Sequence, residues 1–429
     1  MKPVEKKVGL RRHLDFASLT LFGVGMILGA GIYSILGKVA GVAGMGVWLS
    51  VLTAGVCALL TALSYAELSS MYPKTGAEFI FLKEAFPNLH WLSKSIGFLM
   101  IFAGSATASA VSLAFASYLE HFAHIPIIPT AASALIFFSL INLKGIREST
   151  IINTVFTLIE MSGLLLFTYW GFQSPQFGKN LDHFSMRSVL PGGSLIFFAF
   201  LGFENIVNLT EEAKNPKVDI PKAILTSLGI TGILYLLVCI SAVALLEPSK
   251  LNQSDAPLMD AIFSVSPRTA TTLGIIALFS TSNTILIAIL STSRILYSIS
   301  REKMNPGLLS RMKASTQTPF AAIFAITAGS IALLFVGDIE ISAGLSSLFT
   351  MVSFVAVHLA LIVLRLRAPE HPRKFKVPGH IGRYPMLPIL GIFTTIMLMF
   401  QFELRVYLIA LISITGICLY EIFQKIKFS

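Results

Sequence analysis

Two carboxylic acids stand inside stretches that are otherwise apolar: Glu160 in NTVFTLIEMSGLLLF and Glu204 in FFAFLGFENIVNL. Burial disfavours the charged form of a carboxyl, so either could take up and release a proton. An ionisable group within a membrane span is a functional candidate by default. The plainer alternative is a carboxyl kept protonated or paired, holding helices together; beside a glycine break, Glu204 also suits a structural hydrogen bond. Ser280, Thr281 and Ser282 are successive hydroxyls that could contribute to a sodium site, although hydroxyls in membrane helices commonly bond their own backbone. His358 could relay a proton or pack between helices. Arg294 is expected to snorkel, and Glu211 and Glu212 to pair with loop cations. The sequence has no nucleophile–base pair, no metal-ligand spacing and no GxxxxGK[ST] loop, so no enzyme chemistry, cofactor or metal is expected.

A second kind of chemistry belongs to the main chain. Residues 23–37 read GVGMILGAGIYSILG, in which Gly23, Gly25, Gly29, Gly31 and Gly37 each weaken a helix by roughly 1 kcal/mol against alanine. A later stretch, PGGSLIFFAFLGFENIVNLTEE, has Gly202 near its middle. Broken backbone is tolerated in hydrocarbon only where it is buried in protein or lines a cavity. There, half-helix N-termini offer N–H groups to an anion and half-helix C-termini offer carbonyls to a cation. An amino acid zwitterion carries both charges. The alternative is close packing, since Gly25 and Gly29 are spaced as GxxxG. A dinucleotide fingerprint fails, because Leu28 stands where a glycine is needed and no strand precedes it.

Membrane helices must position these groups. Of 429 residues, 55% are hydrophobic and 13% charged, and the mean hydropathy is +0.78; a soluble chain needs about a quarter charged. Apolar runs fall near 16–40, 44–70, 92–119, 125–143, 149–172, 190–212, 221–246, 268–300, 319–336, 340–366, 385–402 and 404–424, about twelve spans. No small-residue cleavage site follows the first run, which is expected to stay as a span. Cys57, Cys239 and Cys418 all fall in apolar runs and read as core residues. The stretch 249–266 reads as a short external helix.

The net charge of +10 is sorted by side. With the N-terminus and every second loop go 26 of the 32 cations, among them Lys2, Lys6, Lys7, Arg11, Arg12, Lys303, Arg383, Lys425 and Lys427. Lys38, Lys179, Arg187, Lys250, Arg268 and Arg405 make the six on the other side. That bias places both termini in the cytoplasm and sets the cations against anionic lipid rather than nucleic acid. The broken spans are the first and sixth, the spacing of an inverted repeat of five plus five helices. One transporter domain is expected over 1–429, with repeats at 1–172 and 190–366 and two peripheral helices at 385–424.

At this point the residues carry a likeness. The chain resembles an amino acid permease of the amino acid–polyamine–organocation superfamily. The carriers are GVGMILGAGIYSILG; SYAELSSMYPKTGAEFIFLKEAF, residues 64–86; FFAFLGFENIVNLTEEAKNPKVDIPKAI, residues 197–224; and RLRAPEHPRKFKVP, residues 365–378. The resemblance implies an all-α polytopic fold with broken helices one and six, in the plasma (inner) membrane. It implies a substrate carboxylate on the backbone of Gly29, Ala30 and Gly31. It places the amine on carbonyls of Ile27, Phe198, Ala199 and Leu201, close to Gly202, with Phe198 as an occluding ring. Relatives commonly carry a lysine where this chain has Glu160, so the lysine mechanism does not transfer. The expected function is secondary amino acid transport by alternating access, coupled to protons or to exchange, with sodium ranked lower. Alternatives are a polyamine or amine carrier, an obligate antiporter, and a transporter-like nutrient sensor, which the short tails disfavour. GSATASA at 104–110 points to a small-residue wall with room for a bulky substrate.

Overall fold

The computed structural model describes residues 12–179, 184–254, 256–263, 265–301, 308–313, 316, 318–335, 339–382, 384–412 and 414–415, without the side chains of 121 and 146–149. Lys2, Lys6, Lys7, Arg11, Lys303, Arg383, Lys425, Lys427, Cys418 and the last expected span beyond 415 lie outside the described residues.

The first two apolar runs form α1 (Phe16–Ala43) and α2 (Val47–Met71) around a 3-10 turn at Gly44–Gly46. Together they make one apolar stretch of 56 residues. At 1.5 Å per residue this is about 84 Å, far more than a hydrocarbon core of about 30 Å, so the stretch crosses twice. Next come α3 (Ala77–Ala85), α4 (His90–Ala123), α5 (Ile127–Asn142) and α6 (Ile146–Gln173). Then α7 (Met186–Phe200) gives way at Leu201 and Gly202 to a 3-10 segment, Phe203–Glu212. It is followed by α8 (Pro216–Leu245), α9 (Pro248–Gln253), α10 (Pro257–Phe263), α11 (Pro267–Arg301), α12 (Phe320–Leu333) and α13 (Ile339–Arg367). A small hairpin, β1 (His380–Ile381) with β2 (Tyr384–Pro385), leads to α14 (Met386–Met399). The last described helix, α15 (Leu404–Ile412), is bent by 107° from α14.

Helices therefore stand at each expected span. The 249–266 expectation is corrected: two short helices, α9 and α10, occupy it, because Pro257 has no N–H with which to continue a preceding helix.

Packing follows the repeat. α2 lies against α8 and α4 against α11, each element meeting its counterpart five spans on. The contact of α1 with α8 recurs as α7 with α2, and that of α4 with α13 as α11 with α6. α1 is buried on all sides from Leu19 to Ile32 apart from Leu21, as suits a helix that is apolar all round. α5 and α6 turn Ile136, Phe137, Leu165, Tyr169 and Phe172 outward, the apolar exterior expected of helices that face lipid.

The 365–378 stretch folds back on α2. Arg365 Nε donates to Glu67 Oε1 at 2.9 Å, the Val377 N–H donates to Glu67 Oε2 at 2.7 Å, and Arg373 Nε lies 3.0 Å from Glu67 Oε1. Glu67 is fully buried, so the two guanidiniums supply the compensation that a buried carboxylate requires.

Candidate substrate site

The break in α1 is sharper than expected. Gly29 alone leaves the helical region (φ −12°, ψ −163°), and helix resumes at once on its far side. The sequence reading spread the break over Gly29, Ala30 and Gly31; one non-helical peptide is enough to separate the two half-helices. The Ala30 N–H donates to Thr284 Oγ1 at 3.2 Å. At Gly31 α1 lies tight against α7: a Cβ there would lie 2.5 Å from Ala199 Cα. In the sixth span, Gly202 has φ 126°, which side chains resist, and a Cβ would meet Met26 Cγ at 2.6 Å. The two breaks thus face each other.

Between them lies a cavity of about 40 Å³, lined by Ile27, Gly29, Ala30, Gly31, Phe198, Leu201, Gly202, Glu204, Asn205 and Thr284, among others. At about 10–15 Å³ per water, it has room for about three waters. α4 and α13 close it: Thr107 and Ser346 share a hydrogen bond of 2.6 Å. Gly104 and Thr107 of GSATASA line the cavity, and a Cβ at Gly104 would overlap the Thr292 side chain of α11, so the room beside this wall is small. Small residues have here drawn the helices together. On the side away from the N-terminus a larger vestibule, about 510 Å³, reaches the other face of Phe198. Phe198 thus borders both spaces.

Three of the four expected carbonyls have a protein partner: Phe198 O accepts the Leu201 N–H at 3.2 Å, and Ile27 O and Ala199 O meet one hydroxyl. The Tyr235 hydroxyl of α8 lies in hydrogen-bond contact with Ile27 O and at 3.1 Å from Ala199 O. Ala199 does not line the cavity. Each carbonyl retains a second lone pair.

The two acids sit differently. Glu204 lines the cavity; its Oε2 accepts the Gly202 N–H at 2.9 Å and its Oε1 accepts from Asn205 Nδ2 at 3.0 Å. Glu160 lies behind α1, outside the cavity lining, and accepts a hydrogen bond from Ser280 Oγ. Its Oε2 has no hydrogen-bond partner among the described residues, nor have either amide atom of Asn153 or Asn283 Oδ1. Of the three hydroxyls, Ser280 alone reaches an acid; Thr281 Oγ1 donates to Ala277 O at 2.8 Å. His358 packs: its ring nitrogens meet Thr61 Oγ1 at 3.2 Å and Ser64 Oγ at 2.9 Å, and its ring fills the space beside Gly391.

The N-terminal side of the cavity is closed by charge. Arg294 does not snorkel: it is 4% exposed, and its Nη2 donates to Glu212 Oε1 at 2.8 Å. Glu212 reaches it from the sixth span and offers a nearer partner than water. Arg301 pairs with Glu211 at 3.3 Å. The chain before α1 joins this layer, since the His13 and Leu14 N–H groups both donate to Glu212 O.

Sequence reasoning missed Tyr235, Thr284, Asn205 and the Glu67 clamp. A single tyrosine or threonine in a span carries no spacing signal. Glu67 stood in a quoted stretch, but its partners lie about 300 residues away.

The amino acid permease profile matches residues 14–415. The branched-chain amino acid permease BcaP of Bacillus subtilis is 30% identical over 89% of this chain and 86% of its own length. The methylthioribose transporter of Bacillus subtilis is 29% identical over 91% and 89%. Human cationic amino acid transporter 4 is 30% identical over 90% of this chain and 65% of its own length.

Proposed function

The chain belongs to the amino acid permease family and is an integral membrane transporter of amino acids or organic solutes; we propose that it is a secondary active amino acid transporter working by alternating access. One observation carries the reading. The breaks at Gly29 and at Leu201–Gly202 open on the same cavity, so N–H groups and carbonyls of half-helix ends converge there. An α-carboxylate binds at Ala30 and Gly31, displacing the Thr284 hydroxyl from the Ala30 N–H. The amine binds at carbonyls of Ile27, Phe198 and Leu201. An amine without a carboxylate would leave the N–H end unused, which ranks a polyamine carrier second.

Both termini lie in the cytoplasm, and the membrane is the plasma (inner) membrane. Substrate enters by the vestibule at Phe198 while the Glu212–Arg294 layer is shut. Phe198 then swings over it, and the inner layer parts as one half-bundle rocks against the other. Coupling is by a proton or by exchange. Glu160 is the favoured proton carrier, its second oxygen unclaimed and Ser280 fixing the first. Glu204 holds the break and stands on the cavity as the second carrier.

The test is reconstituted uptake of the common amino acids with and without a pH gradient, in wild type and Glu160→Gln. Gradient-driven uptake is expected to fall in the variant while counterflow exchange survives. An unchanged pH dependence removes Glu160 from the mechanism; no uptake of any amino acid by the wild type rejects the reading.

A further inference from the structure

The 3-10 segment that follows the Gly202 break carries a polar stripe, which the reading above leaves unused. A 3-10 helix has three residues per turn, so side chains three apart stand one above another. Over Phe203–Glu212 this puts Asn205, Asn208 and Glu211 on one edge. At about 2.0 Å per residue the stripe runs about 12 Å. It starts at the cavity, which Asn205 lines, and ends in the inner layer, where Glu211 pairs with Arg301. In its middle, Asn208 and the Ser291 of α11 that it meets are both buried.

Hydrogen bonds join this stripe to the corner between α2 and α3. The Gly76 N–H donates to Asn208 Oδ1 at 3.1 Å, and Asn208 Nδ2 donates to Ser291 Oγ at 3.2 Å. Ser291 Oγ donates to Asn205 Oδ1, and Asn205 Nδ2 donates to Glu204 Oε1 at 3.0 Å. The ends fix the direction of the chain. A backbone N–H can only donate and an amide oxygen can only accept, so Gly76 makes Asn208 turn its NH2 group to Ser291. The hydroxyl has one proton; receiving from Asn208, it passes that proton to Asn205. No link can reverse without leaving a buried polar atom unpaired, which is costly.

The corner is fastened to the same stripe by its neighbour. Thr75 Oγ1 donates to Asn208 O at 3.2 Å, the Thr75 N–H donates to Glu211 Oε1 at 3.4 Å, and Ser298 Oγ of α11 donates to Thr75 O at 3.0 Å. Gly76 has φ 82°, a conformation that glycine adopts readily, and this aims its N–H at Asn208. The inner layer cannot part from the corner while these bonds hold.

We propose that Asn208 and Ser291 are positioning residues that carry the state of the substrate cavity to the α2–α3 corner. The inference rests on the transporter reading above. A substrate amine in the cavity is a donor, as the Asn205 amide is, and competes with Asn205 Nδ2 for Glu204 Oε1. When the amine takes that oxygen, the Asn205 amide turns away and Ser291 loses its acceptor. Asn208 then loses the partner that holds its oxygen on the Gly76 N–H. Because the chain runs one way only, a loss at the cavity end passes to the corner, which is released where the inner layer must part. An empty cavity leaves the chain complete and the corner held. Coupling of this kind needs a contiguous network with two arrangements, and here only hydrogen bonds change partners.

The test is hydrogen–deuterium exchange of the full chain in lipid nanodiscs, read on residues 72–80, with and without a saturating mixture of the common amino acids. Uptake of the same mixture, radiolabelled, is measured in proteoliposomes. In the wild type the mixture is expected to speed exchange of this segment about tenfold, as for the loss of about one hydrogen bond. In Ser291→Ala, exchange without substrate should already be about tenfold faster than in the wild type, and the mixture should add nothing. Ser291→Thr keeps the hydroxyl and is expected to restore the response. Asn208→Ala cuts the chain at the next link and carries the test alone if Ser291→Ala does not fold. A substrate response of wild-type size in the folded Ala variants overturns the proposal, even where their exchange is faster throughout, the mark of a contact that only stabilises. So does wild-type protein that takes up amino acids with no change of exchange at 72–80, which leaves the transporter reading standing. Absence of any uptake by the wild type overturns that reading, and this inference with it.

Discussion

One methyl group at Gly31 tests the substrate site most directly. A Cβ there would stand 2.5 Å from Ala199 Cα and 3.0 Å from Ala199 Cβ, where carbon contacts prefer about 3.5–4.0 Å. Both atoms belong to a buried helix, so no flexible side chain can turn away. In Gly31→Ala, α1 and α7 must separate by about 1 Å at the level of both breaks. Overpacking of this size costs about 1–3 kcal/mol, and the gain in helix propensity returns up to about 1 kcal/mol. The variant should therefore fold, with a small fall in melting temperature. Binding should suffer more, because the groups holding the two ends of the substrate move apart; a misplacement of about 1 Å costs on the order of 100-fold in comparable sites. The assay is substrate affinity from the ligand-induced thermal shift of purified protein, beside uptake in proteoliposomes. Wild-type affinity and uptake in a folded Gly31→Ala protein would refute the assignment of this backbone to the substrate.

Gly229→Ala is the matched control: nothing lies within 4 Å of its added methyl, so stability should rise by up to about 1 kcal/mol with uptake unchanged, and a loss of uptake would contradict the packing described. Arg294→Met strands Glu212 in the protein and should cost about 3–5 kcal/mol in chemical denaturation. Adding Glu212→Leu should restore much of that, and a double variant as weak as the single one would argue against a buried pair. Tyr235→Phe removes the hydroxyl from two buried carbonyls and should cost about 1–3 kcal/mol, read as a lower melting temperature. The Ser18 N–H holds the Asp15 carboxyl below its ordinary 3.8; its small contribution is present above that value and lost as pH falls through the lower one. Asp15→Asn should flatten only this acid limb of the stability profile, and an effect near neutral pH would contradict it.

The spans were legible because a bilayer demands long apolar runs, and a run is a property of the chain itself. The Gly29 and Gly202 breaks were legible for the same reason: glycine acts on its own backbone. Partners were not. Three successive hydroxyls, Ser280, Thr281 and Ser282, sit about 100° apart around a helix, so they cannot share one face. The face toward α1 and α6 is instead Ser280, Asn283 and Thr284. A sequence does not say how closely a neighbour approaches the small residues of α4; Thr292 and Ser346 come up against them and leave only the small cavity that all of them line. Arg294 was read as snorkelling because its distance from the span end was visible and Glu212 was not.

The two ends of the cavity are held shut by interactions of different strength, and this bears on which way it opens first. On the N-terminal side the Glu212–Arg294 and Glu67–Arg365 pairs are at most 5% exposed. Breaking a buried pair by moving one partner away costs several kcal/mol unless water replaces it. On the other side the ends of α1 and α13 are joined by Lys38 and Glu340 at 3.3 Å, which are 42% and 53% exposed. An exposed pair contributes about 0–1 kcal/mol, and beyond it Phe198 stands between the vestibule and the cavity. In the proposed cycle a side-chain rotation therefore opens the vestibule side, whereas the N-terminal side needs a layer of buried charge to part together. In the proposed transport cycle the form closed on the N-terminal side is therefore expected to dominate without substrate. Binding must supply the difference, and a zwitterion can do so by drawing the two broken helices onto its carboxylate and its amine.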